Sequence, residues 1–316
     1  MLSPFISSLP IDIPPIFYTA LEVIKAFTHC VTPSNPSLPR YSSLAATFTC
    51  NLAGNITGAS LALSTAGIDT QQGLLSIPAE AGYRAFDVFY YLDSSSATEA
   101  EREALNLRAP SLYSFLKRSG TFNPPPYLPT VDDAASAEEF RHNLRALGIK
   151  GVAQRNLIML LAGLLKLGDS LSYLVDEEAL DAVCEDVAVL LDVDKDVLRR
   201  KCSTEDRQVL IAGLYEAAVD WVIGFANESI RSALRGARAG LNPDSSDSDA
   251  GIVTPNESEE FGDSVSISVI DIPGQNLSRA IALRTVFDDT DGINAEMKED
   301  GVHIQAAGTS VLREMQ

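Results

Sequence analysis

Asp271, Pro273 and Gly274 close the stretch Ser264–Asn276, SVSISVIDIPGQN, and their types and spacing could do chemistry. A carboxylate at the end of an apolar strand can hold a water on Mg2+, and the amide of a following glycine can reach a terminal phosphate. D-x-P-G equally suits a plain strand that ends in a tight turn. Either way, Asp271 has to be fixed by the strand before it. Val265, Ile267, Val269 and Ile270 make a β-branched run, the kind buried on both faces of a parallel sheet.

Other chemistry finds less support. Asp192-Val193-Asp194-Lys195-Asp196 resembles the start of a calcium loop, but Val197 and Ser203 stand where such a loop needs Gly and Glu. An acidic turn capping a helix fits better. His29, His142 and His303 are isolated, with no H-x-x-x-H and no Cys/His cluster to bind metal. No G-x-S-x-G elbow is present. Trp221 reads as core, and Arg40, Arg84 and Arg108 read as solvated charges rather than phosphate ligands. No catalytic residue is assigned.

The 316 residues, 46% of them hydrophobic, can bury a large core. A net charge of −19 opposes nucleic acid, anionic lipid and an acidic filament such as actin. Cys30, Cys50, Cys184 and Cys202 form no C-x-x-C and read as reduced thiols of a cytosolic chain. No secretory signal opens the sequence, and the apolar run Leu157–Leu165 is too short to span a membrane. The N-x-S/T matches at Asn55, Asn227, Asn256 and Asn276 therefore read as chance.

Residues 1–40 form a proline-rich segment with one helical patch, Phe17–Phe27. Pro33, Pro36 and Pro39 exclude helix and central strand from Thr32–Arg40. Ser43–Asn51 and Ile56–Ser64, joined by Leu52–Asn55, predict a β-hairpin. Helical spacing follows over Gly82–Asp93, Glu99–Leu107, Ser111–Arg118, Ala137–Leu147, Leu157–Leu167 and Asp176–Leu191. Asp206–Ala239 reads as one long helix capped by Gly240, with Ile211, Leu214, Ala218, Trp221 and Phe225 inward. Residues 241–263 read as a disordered acidic loop, because Asn242–Asp263 holds seven acidic residues and no Lys or Arg. Leu277–Asp300 has a helical pattern, and 303–316 is an irregular tail. One domain is expected over 41–240 and 264–302.

This succession resembles the myosin motor. Gly82–Leu92 (GYRAFDVFYYL) is similar to the myosin segment containing F-H-I-F-Y-Q-L, and Arg102–Leu116 to the stretch after it. Phe140–Gly168 ends in the same Leu-x-Leu-Gly, and Leu214–Ile230 carries a version of L-Y-x-x-x-F-D-W. Ser268–Gln275 falls where myosins carry switch II, and its D-I-P-G is the form found in the myosin-motor-like domain of fungal chitin synthases. The similarity runs over about Ala20–Val302, and its order is more specific than any one motif.

The resemblance implies a mainly helical α/β fold: an incomplete myosin-motor-like, P-loop NTPase-related fold with a β-hairpin and a buried switch-II-like strand. It implies switch-like nucleotide-binding positions at Asn35, Ser37, Arg40, Asp271 and Gly274. Asp271 would hold Mg2+ through water if nucleotide binds. However, no G-x-x-x-x-G-K occurs in the chain, prolines interrupt Ser34–Ser43, and Asn276 replaces the acidic partner of Arg40. Of the actin-contacting elements, the loop at Cys202–Glu205 is short, and the helix–loop–helix would lie beyond Gln316.

The expected protein is a degenerate, truncated motor-like domain of a chitin synthase, a cytosolic positioning module with no cofactor and no catalysis of its own. It would work at the cytoplasmic face of the plasma membrane or of secretory vesicles at growth sites. Its partners would be the remainder of the synthase or cytoskeletal and vesicle components; nucleic acid is excluded and actin is not expected. Two alternatives stand beside this reading: an Mg-ATP-binding motor whose P-loop lies upstream, and a stand-alone adaptor.

Overall fold

The computed structural model describes residues 6–9, 11–33, 35–64, 67–92, 97–124, 132–171, 176–203, 207–241 and 264–273. The chain divides into Met1–Asp271 and Ile272–Gln316, and the elements below belong to the first unit. The acidic loop, the pattern at Leu277–Asp300 and Gly274 lie outside the described residues.

Helix α1 (Pro15–Thr28) starts on a proline that lacks an N–H the first turn could not use anyway. It buries Phe17, Ala20, Leu21, Ile24 and Phe27 along one face. The chain then enters β1 (His29–Thr32) and β2 (Asn35–Pro39), which with β5 (Arg84–Phe86) form an antiparallel sheet in the order β2-β1-β5. The proline-punctuated segment is therefore an edge strand, the one place in a sheet where missing amides cost little.

The expected hairpin is β3 (Leu44–Asn51) and β4 (Ile56–Leu63), paired antiparallel. Its turn contains Gly54 at φ +82°, a conformation that suits a residue without Cβ. Leu44, Ala46, Phe48 and Cys50 alternate inward along β3.

Strand β6 (Ser264–Asp271) forms, but not as expected. It pairs antiparallel with β3, at the edge of a sheet ordered β4-β3-β6. Val265 is 52% and Ile270 58% exposed. Ser264, Ser266 and Ser268 alternate with Val and Ile, a period-two pattern that belongs to a half-exposed strand, and the β-branched run masked it. The segment Gly82–Asp93 also differs. β5 occupies its start, and only Asp87–Leu92 is helical (α2).

Among the described residues, the further α-helices are α3 (Glu99–Ala104), α4 (Ser114–Lys117), α5 (Asp133–Ala146), α6 (Val152–Leu167), α7 (Glu177–Leu191), α8 (Lys195–Cys202) and α9 (Arg207–Leu241). Asp194 caps α8 by accepting from the Val197 amide at 3.0 Å, so the acidic turn is a helix cap. Gly240 does not end α9, which continues to Leu241. The inward face of α9 is Ile211, Tyr215, Ala218, Val219, Val222, Ala226 and Ile230, so Ile211 and Ala218 of the expected stripe are buried. Leu214 and Phe225 pack partly buried against the core, and Trp221, 39% exposed, is not core. Residues Arg207–Ala237 have the length and hydropathy of a membrane-crossing helix, yet this helix packs against α1, α6 and β4.

Tyr215 marks the centre of the core. Its ring stacks on Phe86 at 5.1 Å and Phe89 at 5.7 Å, and its hydroxyl donates to the Phe27 carbonyl at 2.7 Å. That bond satisfies the one polar group which burial would otherwise strand. Further along α9, the Asn227 amide exchanges hydrogen bonds with the backbone N and O of Leu61, at 2.8 and 2.9 Å. The side chain of one N-x-S/T match thus ties α9 to β4. All four cysteines are free and buried.

Candidate functional site

Antiparallel pairing sets Asp271 opposite Leu44, so the end of β6 lies beside the residues that follow β2. There the Tyr41 hydroxyl donates to Asp271 Oδ2 at 2.7 Å. Arg40 is 6% exposed, and its Nε donates to Cys30 Sγ at 3.1 Å. Its backbone is fixed on both sides, donating to the Thr28 carbonyl at 2.8 Å and accepting from the Asp69 amide at 2.6 Å. His29 meets the Tyr41 ring edge-on at 5.7 Å, and its Nδ1 shares a 3.1 Å hydrogen bond with Thr28.

The structure therefore brings Arg40 and Asp271 to one neighbourhood, with Tyr41 as the link. Asn35 and Ser37 stand apart from it, near the β1–β2 turn. Asn35 is about 16 Å along the strand from Arg40 at the usual rise. Its side chain accepts from the Ser37 amide at 3.0 Å, and its own amide donates to Thr32 Oγ1 at 3.0 Å. Gly274 lies outside the described residues.

Burial, with the Lys25 charge adding to it, drops His29 to about 4 and leaves it neutral. Burial and the Asp271 carboxylate push Tyr41 well up. Burial also raises the Cys30 thiol. None of the three is poised to exchange a proton near neutrality.

A second group of charges was missed in the sequence. Arg84 on β5 is 3% exposed, so like Arg40 it is not a solvated charge. Its guanidinium donates to Asp133 Oδ2 at 2.7 Å and lies 3.8 Å from the centre of the Tyr90 ring. Arg108, the third arginine read as solvated, is exposed and pairs with Asp169. Arg84, Asp133 and Asp87 line a cavity of about 370 Å3 between α1, β2, the head of α2 and α5. Ser37 lines it too, alone among the described switch-like positions. Burial raises the Asp87 carboxyl to about 7, against the pull of Arg84 and with Asp133 adding to the rise. Only a contact across 49 residues joins Arg84 to Asp133, so no local spacing could have announced it.

Myosin-1 of Yarrowia lipolytica is 24% identical over 185 residues, 49% of this chain and 15% of that protein. This is a weak likeness to a myosin, in sequence and over half of the chain. Chitin synthase 5 of Pyricularia oryzae is 56% identical over all 316 residues, and chitin synthase 7 of Gibberella zeae 55%. Chitin synthase A of Aspergillus oryzae is 53% identical over 315 residues. The resemblance to fungal chitin synthases thus covers the whole chain, which spans only 18% of the length of the first two. No family profile matches.

Proposed function

We propose that the chain is the myosin-like part of a chitin synthase, a module that holds the synthase at sites of wall growth and does not itself hydrolyse ATP. The observation that carries this reading is the match over the full chain to proteins more than five times as long, which leaves ample chain elsewhere for sugar transfer. The switch-like residues support the second half. Asp271 accepts from Tyr41, Arg40 donates to Cys30, and Asn35 is turned onto its own strand. These engagements do not fit Mg-ATP, and the chain has no G-x-x-x-x-G-K to cradle phosphates. The acidic surface argues against actin as the anchor.

Two measurements test the proposal. A full-length synthase carrying a fluorescent tag and lacking this 316-residue stretch should keep chitin synthesis in isolated membranes and lose its accumulation at growth sites. Normal accumulation would overturn the positional role, and loss of synthesis in the membranes would overturn the separation of the two tasks. A fluorescent ATP analogue with Mg2+ should show no saturable binding to the 316-residue chain. Micromolar binding abolished by Asp271→Ala would restore the motor reading.

A further inference from the structure

The cavity at the head of α2 carries an imbalance of charge. Glu22 and Lys25 come from α1, Arg84 from β5, Asp87 and Tyr91 from α2, and Asp133 and Glu139 from α5. Arg84 is matched by Asp133 at 2.7 Å, and Lys25 by Glu22 at 3.5 Å. Asp87 and Glu139 remain, and neither carboxylate has a hydrogen bond or ion pair among the described residues. Asp87 is the deeper of the two. Asp87 is half-buried in the cavity wall; a partly desolvated carboxylate without a donor is costly, and a cationic ligand would relieve that cost.

The rest of the lining narrows the ligand. Tyr91 and Phe140 both face the cavity, with ring centroids 5.6 Å apart and planes at 47°. Aromatic faces beside a carboxylate suit an organic cation with an apolar stem. A divalent metal is a poor fit, since no group of three His, Cys, Asp or Glu ligands converges among the described residues. We propose that this cavity binds an alkylammonium or guanidinium group, with Asp87 as its counter-ion and the Tyr91–Phe140 pair against its stem. Such a group could come from a free amine or from a Lys or Arg side chain of a partner protein.

Calorimetric titration of the 316-residue chain at pH 8 tests this with two probes, agmatine and N-acetyl-arginine amide. Agmatine should bind saturably at 1:1. Asp87→Asn should weaken it about tenfold, the loss of one charge-assisted contact. Phe140→Leu should weaken it severalfold in a chain that still melts cooperatively, and Glu103→Gln on α3 should leave it unchanged. Binding should also weaken at pH 6, where Asp87, facing Glu22 and Lys25 of α1, Arg84 of β5 and Asp133 and Glu139 of α5, takes up its proton. Agmatine binding without the arginine amide assigns a free amine; binding of both assigns a partner's side chain. A diffuse attraction to a chain of charge −19 would instead vanish in NaCl of matched ionic strength. That result, the absence of saturation, or binding indifferent to Asp87→Asn would overturn the proposal.

Discussion

Asp87→Asn should make the chain more stable at pH 8, by up to about 4 kcal/mol, and leave it nearly unchanged at pH 4. The carboxyl is raised from 3.8 to about 7 in the fold, chiefly by burial. A tenfold change in the proton affinity of one group corresponds to about 1.4 kcal/mol. Below pH 4 both folded and unfolded chains hold this proton, so the residue costs nothing. Between pH 4 and 7 the folded chain keeps a proton that the unfolded chain has released, and stability falls as pH rises. Above pH 7 the full penalty is present, and asparagine removes it.

His29 works in the opposite sense. Lowered from 6.5 to about 4, it stays neutral in the fold while the unfolded chain protonates, so stability is lost as pH falls through that window. The loss approaches about 3 kcal/mol. The two effects oppose each other between pH 4 and 6.5, and the native chain should therefore show a shallow profile there. Asp87→Asn should expose the His29 slope, with stability falling as the solution is acidified. Urea unfolding at pH 4.5, 6 and 8 measures both. An Asn variant no more stable than the native chain at pH 8 would show that the carboxylate is already compensated. A residue that costs stability when ionised is the kind retained for what it binds, which ties this measurement to the amine titration.

What could be read in the sequence was local. The hairpin was legible because alternation runs through Ser43–Asn51 and Ile56–Ser64 on either side of a glycine turn. The stripe of α7 was legible in Leu180, Val183, Cys184, Val187, Leu190 and Leu191, of which the fold buries four and packs Val183 and Leu191 partly buried against the core. The cap at Asp194 was legible because capping needs only a side chain and the amide three residues on. Trp221 was misread because the long apolar helix carries apolar residues on more than one face, and Tyr215 with Val222 takes the core instead. The Arg84–Asp133 pair and the Tyr41–Asp271 bond span 49 and 230 residues, and spacing says nothing about either. Of the switch-like positions, Arg40 and Asp271 meet because β6 lies against β3, a pairing that a parallel-sheet reading of β6 did not contain.

That pairing gives β6 two distinct sides, and substitutions should separate them. Its outer edge has no strand partner among the described residues, so its backbone N–H and C=O groups can template another chain. The strand has no proline and a single charge, Asp271, at its end, which are the features that favour such pairing. The 316-residue chain should therefore self-associate as its concentration rises. Ile270, 58% exposed, stands on the open face, and Ile270→Lys should cut light scattering severalfold while shifting the melting temperature by no more than a degree or two. Val269 is partly buried and packs against the core, so Val269→Lys should cost about 2 kcal/mol and lower the melting temperature by about 4–8 °C. A monodisperse native chain, or an Ile270→Lys chain that scatters as the native one does, would show that the edge is already covered. Equal destabilisation by both lysines would show instead that both faces of β6 are buried, as the parallel-sheet reading required.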